Sequence, residues 1–404
     1  MPEFQFPKRL FVLLTVLILA AEGAAGEEFF YRYESGTQYR ILSTVEEEVY
    51  LNQRLNHRAR ILNRIAVEVG EVQGGAARHE AVFETAEQSR GIDGGQWVWS
   101  RQYESQFDRD RLGHITIDSA YFMPVVRNVP VFPGRDLKPG DSWSAEGHEM
   151  HDFRDSFGIA APYRIPFTAN YTFLGSREWK GSSYPAFSVS YIIVTEPEAA
   201  AGVFWPRRIV GSSSQIVYWN SEAGREAAYE ETFRMVFELS DGTVLEYRGT
   251  AEAELIESAK LDKEAAAREI SGDIARLGLE DTSVRVVEEG IAISLENIQF
   301  EADSAELVVG EKAKLDQIAG ILRRYGDRDI LVGGHTALAG GEEGRLRLSR
   351  ERAAAVADYL VKQGARQSDR IVLRGYGAEQ PLGDNNTEAG RRRNRRVEIT
   401  ILEN

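Results

Sequence analysis

Residues 330–374 read ILVGGHTALAGGEEGRLRLSRERAAAVADYLVKQGARQSDRIVLR. A short apolar run at 330–333 ends in glycines, a longer run with apolar residues three and four apart covers 348–363, and a second short apolar run lies at 371–374. Short apolar runs bounded by turn residues predict buried strands, and the three-and-four spacing predicts a helix. The alternation continues outward, with a strand at 290–298, a helix at 311–325 and a closing strand at 397–402. The earlier helix sets Leu315, Ile318, Ile321, Leu322 and Tyr325 on one face. Interleaved strands and helices predict an α/β domain, βαβαββ in order, layered with its helices on one side of the sheet. Upstream, KLDKEAAAREISGDIARL at 260–277 is rich in helix formers and predicts a connecting helix within 259–281, leaving 282–404 as the domain.

The motifs within that domain occur in order: FEADSAEL at 300–307, GHT at 334–336, LSRERAAAVADYL at 348–360, and GYG followed by NT and GRRRNRRVEI between 375 and 399. Together they resemble the OmpA-like C-terminal domain family, over less than a third of the chain. The resemblance implies a periplasmic, non-enzymatic module that grips peptidoglycan through the diamino acid of its peptide stem. In that family an Asp directly after GHT receives the side-chain amine, and an Arg in LSxxRA meets a carboxylate. The Arg falls on Arg352, whereas the Asp position holds Ala337 and the family's Asn ahead of LSxxRA is Arg345. Thr336, Asn394 and Arg395 complete the ligand set that the resemblance implies. The substitutions strike the ligand site and spare the motifs that build the fold.

The residues themselves point to the same place. Leu348, Arg352, Val356 and Leu360 lie four apart, so Arg352 shares a helix row with three apolar residues expected to face the sheet. A guanidinium on such a row needs an anionic partner, because an unpaired buried charge is costly. The candidates are Glu301, Asp303, Glu342, Glu343 or a ligand carboxylate; the alternative is that Arg352 reaches solvent. Removing one member of a desolvated ion pair typically costs roughly 2–5 kcal/mol, enough to weaken or abolish wall binding.

The middle of the chain has a different period. Phe167, Ala169, Tyr171 and Phe173 alternate with polar residues, Lys180-Gly181 makes a turn, and Phe187, Val189, Tyr191 and Ile193 alternate in return. A second hairpin turns at Asp241-Gly242, and two more strands contain Val45, Val49 and Leu51, then Ile61, Ile65, Val67 and Val69. This predicts an all-β antiparallel region, sandwich or barrel-like. Pro124, Pro130, Pro133 and Pro139 interrupt it, which suggests two β-rich subdomains, 27–120 and 121–258. An outer-membrane barrel with a periplasmic tether is the rival reading, since such barrels also alternate. Glu47 and Glu231 on otherwise apolar rows and the proline-rich stretch argue against it. A deep apolar cavity here would favour carriage of a lipid or other hydrophobic ligand.

Composition narrows the rest. The 404 residues contain no cysteine, 48 Lys+Arg and 63 Asp+Glu, for a net charge of −15. Disulfides, thiol nucleophiles and Cys-ligated metals are excluded. Lys8 and Arg9 precede the apolar run LFVLLTVLILAA and a small-residue stretch ending at Gly26, the pattern of a signal peptide over 1–26, with an uncleaved anchor as the alternative. The resemblance and the leader place the protein in the periplasm, with outer-membrane association and other envelope proteins as partners. The arginine run 391–396 lies in a domain with 19 Lys+Arg against 20 Asp+Glu, so it is locally balanced and no nucleic-acid role is expected. His148 and His151 lack zinc-protease spacing, and no nucleophile elbow or P-loop occurs. No enzyme activity, cofactor or metal is expected.

Overall fold

The computed structural model describes residues 26–88, 97–153, 162–198, 205–256, 261–296, 298–300 and 307–403. The leader up to residue 25 lies outside them, as do Glu301, Asp303 and most of the FEADSAEL motif. The first half is a run of long antiparallel strands: β1 Gln38–Leu51, β2 Arg54–Gln73, β3 Ala76–Gln88, β4 Trp97–Arg109 and the short β5 Ile115–Ile117. After the proline-rich stretch come β6 Val126–Arg127, β7 Ser142–His151, β8 Tyr163–Trp179, β9 Ser182–Thr195, β10 Pro206–Asn220, β11 Arg225–Leu239 and β12 Val244–Ile256. Tight turns set the register. Lys180 and Gly181 both take positive φ between β8 and β9, and Asn52 and Gln53 do the same between β1 and β2, the twist that two-residue hairpins require.

The subdomains expected at 27–120 and 121–258 share one sheet. β1 pairs with β2 on one side and with β12 on the other, from Arg40↔Ile256 to Leu51↔Leu245. The order is therefore β5-β4-β3-β2-β1-β12-β11-β10-β9-β8-β7-β6. Pro124 lies in the connection between the outermost strands β5 and β6, and Pro130, Pro133 and Pro139 in the connection from β6 to β7, where no ladder needs their missing N–H donors. Period two then decides the faces. Along β8, Ile165, Phe167, Ala169, Tyr171 and Phe173 are buried while Arg164, Thr168 and Asn170 are exposed. The buried row packs with Val189, Tyr191, Ile193, Ile209 and Phe237 inside the rolled sheet.

The C-terminal unit begins with α1 Lys263–Leu277, capped by the Asp262 carboxylate on Ala265 N and ended by Gly278 at φ 64°. Then come β13 Thr282–Val287, β14 Gly290–Glu296, α2 Val309–Arg323, β15 Ile330–Gly334, α3 Glu342–Lys362, β16 Ile371–Gly375, α4 Glu388–Asn394 and β17 Arg396–Leu402. The sheet order is β13-β14-β17-β15-β16, parallel only between β15 and β16. Leu315, Ile318, Ile321 and Leu322 of α2 and Ala353, Val356, Ala357 and Leu360 of α3 pack on Ile291, Ile293, Ile330, Val332, Ile399 and Ile401. The β13 strand and the α4 helix go beyond the expected elements. α3 starts six residues earlier than its apolar pattern, because Glu342 and Glu343 suit a helix N-terminus. The row through Leu348 is also rotated: Leu348 is exposed, and Ser349 is buried in its place.

The two units are joined. Edge strand β16 pairs in parallel with the start of β4, Val372↔Trp97 and Leu373↔Val98. Leu62, Ala86, Trp97 and Val372 make a small core at the joint, and the Arg374 guanidinium lies 3.5 Å from the centre of the Trp99 ring. Asp329, at the entry to β15, receives Arg64 Nη2 at 2.8 Å and Arg40 Nη1 at 3.8 Å from the β sheet, and Arg370 Nε at 2.7 Å from its own domain. An otherwise open sheet edge is thereby covered.

Candidate functional site

Two glycines fix how the GHT loop meets α3. A Cβ on Gly334 would lie 1.9 Å from Ser349 O, and one on Gly375 would lie 2.8 Å from both Leu346 O and Ser349 Oγ. The helix therefore crosses β15 and β16 at backbone contact, which only glycine permits. Ser349 Oγ ties the crossing by donating to Leu346 O at 2.8 Å and accepting from Gly377 N at 3.0 Å.

His335 of the GHT motif is a core group. It is 1% exposed and its ring stacks on Tyr376 with 4.7 Å between centroids. Burial, then the charge of Arg396, pulls its pKa down to about 3, so it is neutral across ordinary pH. Glu398 lies 3.8 Å from its Nε2 and accepts from Arg396 Nε at 2.6 Å and Arg285 Nη2 at 2.6 and 2.7 Å. Burial pushes the Glu398 carboxyl up, and the charge of Arg396 with the hydrogen bonds from Arg396 and Arg285 outweighs it, leaving the pKa below its ordinary value.

Next along the loop, Thr336 N donates to Gly377 O at 2.7 Å, while Thr336 Oγ1 is buried without a hydrogen-bond partner. Ala337 is 7% exposed, so the position held by the family's Asp sits against the protein body. Leu338 N donates to Asn385 Oδ1 at 3.0 Å, linking this loop to the one ahead of α4. Asn394 holds that second loop. Its Oδ1 accepts from Leu382 N at 2.7 Å and Gly383 N at 2.9 Å, and its Nδ2 donates to Gly383 O and Asn385 Oδ1, both at 2.9 Å. With all these bonds made and 1% exposure, Asn394 positions the loop and has no side-chain atom left for a ligand. Arg395 is also engaged, through Nη2 to Glu388 Oε1 at 2.8 Å, and Arg391 donates to Glu388 and to Asn385 O.

Arg352 is half-buried on α3, with its guanidinium 5.1 Å from the centre of the Phe300 ring. Its Nε is buried and lacks a hydrogen-bond partner, and among the described residues no ion pair involves it. Burial, then the charge of Arg395, lowers its pKa. Glu342 and Glu343 are exposed in the first turn of α3 and do not pair with it; Glu301 and Asp303 lie outside the described residues. Arg345 donates through Nη1 to Gly340 O, and its Nε is also buried without a partner. The hydrogen bonds thus join the loops of Thr336–Leu338 and Asn385–Arg395, and Arg352 is tied to them through the charge of Arg395. Neither Asn385 nor Phe300 is among the ligand residues that the resemblance implies: the first is one turn residue among several in DNN, and the second opens the FEADSAEL motif without a polar side chain.

A family model described as the OmpA family matches residues 299–395. The chain is 37% identical over 123 residues to the probable lipoprotein YiaD of Escherichia coli, covering 30% of this chain and 56% of the relative. It is 38% identical over 104 residues to the peptidoglycan-binding protein ArfA of Mycobacterium tuberculosis, covering 26% of this chain and 32% of the relative. The solved structure of an outer membrane protein from Borrelia burgdorferi shares 35% identity, covers 30% of this chain and 97% of that one, and superposes with a TM-score of 0.25. The chain spans no more than about half the length of the curated relatives it matches. With the ordered motifs, the βαβ core and the family match coinciding on one stretch, the C-terminal part of this chain is an OmpA-family domain.

Proposed function

We propose that this is a non-catalytic cell-envelope protein whose OmpA-family domain associates with peptidoglycan through an altered pocket built around Arg352. The observation that carries the reading is the half-buried guanidinium of Arg352, with a buried Nε lacking any acceptor and no carboxylate paired with it among the described residues. An arginine left in that state is matched to an anion from outside, and a stem-peptide carboxylate is the family's choice. Thr336 Oγ1, buried and unpartnered in the GHT loop, is a second polar atom left for a ligand. With Ala337 where the family places its Asp, the amine of the diamino acid loses its acceptor, so the grip is weak and carboxylate-directed. The peptidoglycan-binding relative ArfA supports the partner assignment.

The β region supports a scaffold on the periplasmic side over a lipid-spanning barrel. Its apolar row faces inward and its outward row carries Arg164, Thr168, Asn170, Arg207, Arg208 and Ser212, with Ile192 and Val194 as apolar exceptions, a poor match to a lipid-facing wall. The C-terminal domain also packs on the outer face of β1 and β2 through Asp329, a surface that a membrane would have to occupy.

Co-sedimentation of the full chain with purified sacculi tests the reading. Weak binding is expected, with loss on Arg352→Ala and a gain of at least about 30-fold on Ala337→Asp. Strong binding unchanged by Arg352→Ala would remove the role given to that residue.

A further inference from the structure

The rolled β sheet carries two half-open chambers that the wall-binding reading does not use. The larger, about 740 Å³, is lined by Tyr39, Ile65, Phe83, Phe107, Val217 and Tyr229. The second, about 560 Å³, is lined by Phe153, Phe237, Leu245 and Tyr247, and both include Val126 and Glu231 in their walls. Each falls in the range of about 300–1,000 Å³ usual for small-molecule sites, and aromatic and aliphatic walls are the usual lining.

The larger chamber has a charged end. Arg109 lies over the rings of Tyr31 and Phe107 at 4.9 and 5.8 Å, and its Nε is buried without a hydrogen-bond partner. Outside the lining itself, Arg225 lies over the ring of the lining residue Tyr39 at 5.0 Å with Nη1 buried and unpartnered. The carboxylate in this cluster, Glu226, accepts from Tyr31 Oη. The acids on either side are engaged elsewhere: Asp108 with Arg78 at 2.9 Å and Asp110 with His114 at 2.9 Å. His79, stacked on Phe107, is neutral, its pKa pulled down to about 4 by burial and then by Arg109. Glu84, Glu87 and Glu254 also line the chamber, yet among the described residues neither arginine has an ion pair, so each keeps a buried N–H without an acceptor. Glu231, which lines both chambers, accepts from Ser213 Oγ at 2.6 Å and Gln215 Nε2 at 3.2 Å, and burial raises its pKa.

We propose that the interior of the β region binds a single-chain amphiphile with an anionic head, its acyl chain in the larger chamber and its head on Arg109. Full chain purified without detergent and stripped of lipid is titrated with cis-parinaric acid, a fluorescent fatty acid. Displacement is then measured with palmitate, lysophosphatidic acid and the uncharged monopalmitoylglycerol. Palmitate or lysophosphatidic acid should displace the probe about 10- to 100-fold more tightly than the uncharged glyceride, and the tighter of the two assigns carboxylate or phosphate. Arg109→Gln should erase that preference while leaving the glyceride within about twofold, and Ile65→Trp should weaken all three by filling the chamber. Failure of the wild-type chain to bind the probe, or equal displacement by charged and uncharged lipids, overturns the proposal, and neither result depends on a variant that folds.

Discussion

Replacing Asp329 by Asn should undo the joint between the two units. Asp329 is 3% exposed and the Arg40 and Arg64 side chains are each 5% exposed, so the substitution keeps the shape and strands two buried guanidiniums. Burial already lowers the Arg40 pKa to about 10 against the opposing pull of Asp329. Arg370 is 34% exposed and can turn to water, so the cost comes from Arg40 and Arg64. Breaking a buried pair by removing one partner costs about 3–5 kcal/mol. That is roughly 100- to 5,000-fold in the docking equilibrium. Arg64→Met should cost less, about 1–3 kcal/mol, because Asp329 keeps Arg370 at 2.7 Å. Hydrogen exchange at residues 97–98 and 371–375, where β4 and β16 pair, reads docking directly. Asp329→Asn should deprotect these amides and split calorimetric unfolding into two transitions. Unchanged protection, or a larger effect from Arg64→Met than from Asp329→Asn, would refute the assignment of Asp329 as the anion that makes the joint possible.

Further outcomes follow from the C-terminal domain. His335 has a folded pKa of about 3 against an ordinary 6.5, so the unfolded chain binds more protons between those values. Its contribution to stability is complete above pH 6.5 and is lost as pH falls towards 3; urea unfolding at a series of pH values should show a shallower slope in this window for His335→Asn. Gly334→Ala should push α3 off β15 and lower stability by about 1–3 kcal/mol, read as a fall in Tm. Asn394→Ala leaves Leu382 N and Gly383 N without acceptors and should cost about 1–3 kcal/mol for each donor that water does not reach. It should also weaken sacculus binding, by loosening the loop that holds Leu338.

The fold around the candidate site was legible in the sequence because its motifs encode backbone geometry. GHT and GYG mark strands that a helix must approach within van der Waals contact, and Gly334 and Gly375 show that contact in coordinates. The helix spacing around Arg352 likewise located a cation beside the core. The tasks of neighbouring polar residues were less legible. Asn394 reads as a ligand group by resemblance, yet four hydrogen bonds commit it to its own loop, and Arg395 is occupied by Glu388. A side chain's free bonding capacity depends on which loop folds over it, and spacing carries no record of that.

Local chemistry, then, was determined by the sequence alone. Period two at Phe167–Phe173 made strands, Asp241-Gly242 made a hairpin, and the periodic run through Val356 and Leu360 made a helix on a sheet. Each of these depends on neighbours a few residues away. Only the tertiary structure decided that β12 returns beside β1 and that the C-terminal domain docks on the outer face of the β sheet. Arg40 and Arg64 show why: on their own strands they occupy the polar row, which reads as a solvent face. They become buried through Asp329, an acid from the other unit, and burial created by distant parts of a chain leaves no periodic trace in either part.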